Sequence, residues 1–146
     1  MKDTKDEIYW QGVSYRTILS SAATGGAMSI TDSVSPPRSG PPRHIHANED
    51  EVFVVLSGEI DYWLDGETGR VGPGETLFIP RGKEHTFQVP GDQPCRHLVI
   101  LTPGGFETFF AEMAEGQFAI PTDMEAINES AQRHGLTFTG PPLEVQ

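Results

Sequence analysis

Sixteen glycines and twelve prolines cut this chain into short runs rich in β-branched and aromatic residues, a punctuation that leaves little room for helix over most of its length. Residues 13–19, 27–32, 52–56, 59–64, 75–79, 84–89 and 96–102 read as strands, and their even recurrence predicts an all-β sandwich or barrel. Ser57-Gly58 separates two of these runs as a hairpin turn in which Gly58 supplies a positive φ, and Asp65-Gly66-Glu67-Thr68-Gly69 reads as the next turn. Between them Ile60, Tyr62 and Leu64 alternate with Glu59, Asp61, Trp63 and Asp65, the pattern of a half-buried antiparallel strand. The segment 33–42, with prolines at 36, 37, 41 and 42, reads as a loop or edge connection.

The period changes after Pro103-Gly104-Gly105. Phe106, Phe109, Phe110 and Met113 have helical spacing, and Pro121 introduces a second helix over 123–134 with Asp123 as N-cap, Gly135 as C′ residue, and Arg133 and His134 complementing the dipole. The 146 residues suit one domain, with a barrel over about 13–102 and a helical tail over about 105–135.

Charge and cysteine usage narrow the partners. A net charge of −11 repels phosphate backbones and anionic membrane surfaces, so neither nucleic acid nor membrane is an expected partner. The one cysteine, Cys95, has no intramolecular disulfide partner and no neighbouring base to make it a nucleophile. Residues 1–7 are charged and lead into no apolar segment, and no stretch is apolar for long enough to span a bilayer, so the expected location is the cytoplasm. Nucleophile-elbow, Walker and Rossmann signatures are missing, which removes the usual support for hydrolase, nucleotide triphosphatase and dehydrogenase readings.

The chemistry lies in the histidines. His44 and His46 are two apart and project from one face of a strand. Glu51 sits at an odd offset from His46, so the polar stretch 47–50 must turn or bulge to bring it to the same side. His85 is expected from a later strand across the barrel. Three imidazoles and one carboxylate suit a first-row divalent ion (Fe, Mn, Ni, Co, Cu or Zn) with one or two coordination positions left open, and the cysteine count excludes a finger-type zinc site. Glu49 or Asp50 is the alternative fourth ligand. His97 reads as a core or interface histidine and His134 as a helix-end residue. Phe53, Tyr62, Trp63, Phe78 and Phe87 are assigned mostly to core packing, and Arg81 and Lys83 to solvated loops.

His44 to Glu51 running on to Gly58 fits His-x-His-x4-Glu-x6-Gly, and Gly74 to His85 fits Gly-x5-Pro-x-Gly-x2-His. On these two motifs the sequence resembles the cupin superfamily, and its tail, from Thr102 through Phe106 to Pro142, is similar to that of small single-domain cupins of the quercetin-dioxygenase type. The resemblance covers roughly 36–142. It implies a double-stranded β-helix barrel, a homodimer, and a metal ion on the positions of His44, His46, Glu51 and His85. Two positions depart from the pattern: Arg38 stands where a glycine is common, and Val89 where an asparagine is common. The expected activity is that of a metal-dependent dioxygenase on a small oxygenated organic substrate, with Glu51 as ligand and acceptor of a substrate proton. A metal-dependent isomerase or decarboxylase and a non-catalytic small-ligand or metal-binding module are the alternatives.

Overall fold

The computed structural model describes residues 6–143. The charged run expected to lack a leader falls partly on residues 1–5, outside the described residues. The elements in chain order are β1 (Ile8–Trp10), β2 (Val13–Leu19), a 3-10 turn (Ala22–Thr24), β3 (Ser29–Ser35), β4 (Pro42–His46), β5 (Asp50–Ser57), β6 (Ile60–Leu64), β7 (Glu67–Val71), β8 (Thr76–Ile79), β9 (His85–Gln88), β10 (Cys95–Thr102), α1 (Glu107–Gly116), α2 (Met124–Arg133) and β11 (Leu136–Pro142).

Two antiparallel sheets face each other, one in the order β1-β2-β3-β10-β5-β8 and the other β11-β4-β9-β6-β7. This is the double-stranded β-helix expected from the motifs, with a short helical tail. Alternation decides what each strand buries. On β10, Cys95, His97, Val99 and Leu101 point inward; on β5, Glu51, Phe53 and Val55 do so. At the β5–β6 hairpin Gly58 has φ 78° and packs against the Pro94 carbonyl, a place where a Cβ would collide.

All seven expected strands are present, the first with its expected ends and the other six with shifted ones, and the differences have local causes. The second runs to Ser35 instead of residue 32, because Ser33 and Ser35 pair with His97 and Cys95. The expected 33–42 loop shrinks accordingly to the residues between β3 and β4. Asp65-Gly66 alone makes the second turn, and Glu67–Val71 forms a strand whose polar, exposed outer residues hide it from any hydrophobic pattern. β11 is likewise unexpected: it contains Pro141 and Pro142, which an edge strand tolerates. The helices fall where the spacing puts them, and Gly135 follows α2 with φ 69°. Asp123 does not cap α2 through its side chain; its Oδ2 instead accepts the Ala119 N–H at 2.7 Å.

Candidate metal centre

His44 and His46 occupy the last turns of pleat on β4, both pointing inward. His85 opens β9 and is the register partner of His44, so it comes from the neighbouring strand of the same sheet and not from across the barrel as expected. Glu51 is the residue that crosses over. Residues 47–49 carry the chain from the second sheet to the first, and β5 starts with a new phase that buries Glu51. The change of sheet, rather than a bulge within one strand, resolves its odd offset.

One ring nitrogen from each of His44, His46 and His85 lies within 4.8 Å of the other two, and all three residues are buried. Glu51 Oε1 stands 3.1 Å from His85 Nε2 and 3.9 Å from His46 Nε2. Two of the imidazoles are oriented from behind by a hydrogen bond from Nδ1. That of His44 donates to the Pro42 carbonyl at 2.7 Å, that of His85 to the Lys83 carbonyl at 3.0 Å, and that of His46 faces Glu49 Oε1 at 3.5 Å. A proton held on Nδ1 leaves the Nε2 lone pair free for a cation.

Burial, with the neighbouring His85 and His46, pushes the His44 pKa down to about 3. Burial would raise Glu51, but His46, His85 and His44 outweigh it and hold the carboxyl at about 2. For His85 burial acts downward, yet its hydrogen bond to Glu51 carries the pKa above the ordinary histidine value. The set therefore offers the neutral imidazole of His44 and the carboxylate of Glu51, and a divalent cation would take the place of the Glu51–His85 hydrogen bond. Nitrogen and oxygen donors in this number suit a first-row divalent ion, so the residues fit the group. Of the alternative fourth ligands, Glu49 supports His46 from behind and Asp50 pairs with Arg81 at 3.3 Å away from the cluster.

A cavity of about 400 Å³ opens beside His44, His46 and Glu51. Its walls are largely aromatic, with Phe53 and Phe87 from the barrel, Phe106, Phe109 and Phe110 from the tail, and Phe138 from β11. Phe106 closes on His46 with ring centroids 4.5 Å apart. The exposed Arg38 lines the cavity too, so it opens toward the 36–41 loop. The aromatic residues assigned to core packing thus divide: Phe53 and Phe87 face the cavity, Trp63 stacks under Arg43 at 4.3 Å, Tyr62 packs on the core, and Phe78 is 56% exposed. Arg81 and Lys83 pair with Asp50 and Asp65 on the surface, and Cys95 is buried with its thiol pKa raised to about 11 by burial. His134 bonds the Ser130 carbonyl at the end of α2.

Sequence reasoning named Glu49 only as an alternative ligand and His97 only as a core or interface histidine, and it missed the tail phenylalanines as cavity wall. The inward alternation of Cys95, His97, Val99 and Leu101 was the available signal for His97.

Residues 33–101 match the family model described as the cupin domain, a span that contains all four motif residues. Quercetin 2,3-dioxygenase of Bacillus subtilis is 26% identical over 101 residues; the match covers 69% of this chain but only 30% of that enzyme. Among solved structures, a predicted oxalate decarboxylase from Thermotoga maritima superposes with a TM-score of 0.61 at 23% identity, covering 70% of this chain and 94% of that one. A sugar phosphate isomerase of the cupin superfamily from Silicibacter pomeroyi gives a TM-score of 0.55 at 25% identity, covering 65% and 59%.

Proposed function

We propose that this cupin domain holds one divalent transition-metal ion on His44, His46, His85 and Glu51 and acts as a dioxygenase on a small oxygenated organic substrate. The observation that carries the reading is the convergence of three inward imidazoles, two of them held by Nδ1 hydrogen bonds, on the wall of an aromatic cavity. The likeness to quercetin 2,3-dioxygenase supports the choice of reaction. When bound, the ion would supply Lewis acidity and a path for electrons between substrate and dioxygen. Both oxygen atoms then enter the product, and no external reductant is required.

The protein's own part is positioning and proton transfer. The aromatic walls hold a flat substrate and exclude water, and Phe106 seals the end of the cavity beside His46. Glu51, a carboxylate at neutral pH, accepts the proton of a substrate hydroxyl placed next to the cluster. The likeness to a sugar phosphate isomerase favours a second reading in which the same site isomerises its substrate without consuming oxygen.

Elemental analysis of the purified protein, joined to an oxygen-uptake screen on flavonols and diketones, tests the proposal. One equivalent of metal and substrate-dependent oxygen uptake are expected, both lost in His46→Ala. Undiminished uptake by metal-free protein overturns the scheme, and turnover without uptake selects the isomerase reading.

We also propose a cytoplasmic homodimer. No helix among the described residues is long and apolar enough to cross a membrane. The outward side of the first sheet carries an apolar row, Ile30, Ile100, Val52 and Phe78, joined in that order by strand register and ending in the exposed phenylalanine.

A further inference from the structure

Four residues along β10 from Leu101, the register partner of Glu51, the same inward face carries His97. Val99 and, from the adjoining strand, Phe53 occupy the layer between these two ends of the cavity. His97 is 2% exposed, and its ring lies between Phe53 and Phe87 at centroid distances of 5.5 and 5.7 Å. Its Nε2 shares a hydrogen bond with Ser35 Oγ at 3.1 Å, and Ser35 is itself buried and lines the cavity. Its Nδ1 has no hydrogen-bond partner among the described residues. An unpaired buried ring nitrogen is unfavourable compared with an apolar side chain of similar size, so packing alone gives no reason for a histidine here.

We propose that His97, steadied by Ser35, is a second substrate anchor, which hydrogen-bonds a hydroxyl or carbonyl oxygen on the end of a flat aromatic substrate remote from the three-histidine cluster. This deepens the assignment of the cavity as the substrate site and rests on it. The chemical class follows from the surroundings. Aromatic walls on several sides favour a planar, apolar body. Burial pushes the His97 pKa down to about 4, so the ring is uncharged at neutral pH and has no charge to offer a carboxylate. Ser35 can donate to Nε2 or accept from it, which lets the ring serve either a hydroxyl or a carbonyl.

The test compares 2-naphthol with 2,6-dihydroxynaphthalene, two flat probes of one size that differ by the second oxygen. Binding of each to the full chain is measured by calorimetry, with and without chelation of metal, for the wild type, His97→Leu and Ser35→Ala, alongside melting curves. The wild type should prefer the dihydroxy probe by about tenfold, the worth of one good hydrogen bond. His97→Leu should bring the two affinities within about twofold while leaving metal content unchanged, and Ser35→Ala should reduce the preference. An unaltered preference in folded His97→Leu overturns the proposal, as does a failure of both probes to saturate the wild type. If His97→Leu does not fold, His97→Phe and Ser35→Ala decide in the same way. A preference that survives chelation but not His97→Leu supports the anchor even if no metal binds; normal metal uptake with an unaltered preference sinks the anchor alone.

Discussion

Glu49 Oε1 and His46 Nδ1 face each other at 3.5 Å, and both atoms are buried without a hydrogen-bond partner among the described residues. A carboxylate behind a ligating imidazole fixes its tautomer and raises its basicity, and removing such a partner lowers metal affinity by about 10–100-fold. Glu49→Gln should therefore weaken metal binding by about tenfold in a competition titration against a chromophoric chelator, with the melting temperature preserved. Affinity equal to the wild type would mean that the contact plays no part. The four motif residues were legible because their spacing is itself a signal: two imidazoles two apart, a carboxylate five on, a third imidazole behind a glycine-proline turn. Glu49 and His97 carry no such signature, since their meaning depends on contacts across the fold, with His46 and Ser35. The two departures from the motif pattern also find an account here. Arg38 keeps a left-handed φ of 67°, the conformation glycine would adopt most easily, and its N–H donates to the Val89 carbonyl at 2.8 Å. The two unusual positions are therefore joined through the backbone, with Arg38 lining the cavity and Val89 buried in the core.

Between elements, an ion-pair cluster on the outer side of the first sheet joins three strands. Asp32 of β3 accepts from Arg96 of β10 at 2.7 Å and from Arg16 of β2 at 2.9 Å. The hydrogen bond from Arg96 is the main reason its pKa lies below the ordinary carboxylate value, with burial opposing and Arg16 adding to the effect. A depressed folded-state pKa stabilises the fold above the unfolded value, and that contribution is lost as pH falls through the folded one. Asp32→Asn should cost about 1–2 kcal/mol at pH 7 in urea unfolding, and the gap from wild type should close once pH drops below the ordinary carboxylate range. A gap that stays constant down to acid pH would assign the loss to packing instead. At this scale the central strands were legible and the edges were not. β5 and β10 bury every second residue and so announce themselves, whereas β7 and β11 are edge strands in the second sheet, held by register with β6 and β4 rather than by hydrophobic content of their own. The 33–42 segment misled for a related reason: its first three residues include inward serines, which do not look like a core.

For the molecule as a whole, the apolar row ending in Phe78 sits on a chain of net charge −11. Two copies meeting on that face would gain from burial while repelling through their charge, so association should tighten as salt is added. Sedimentation velocity should find a dimer that Phe78→Glu converts to monomer, a loss of at least about tenfold in association. A wild-type monomer at all salt concentrations would remove the homodimer.

The strand bearing His44 and His46 pairs along its length with β11, where Leu136 meets His46 and Phe138 meets His44, and the Ala47 N–H donates to the Gly135 carbonyl. Its other neighbour, β9, shares only the His44–His85 register pair with it. The backbone that keeps the two imidazoles in register thus comes from about ninety residues further along the chain. Alignment of the metal centre is thereby tied to the docking of the tail, although no tail side chain among the described residues is a ligand.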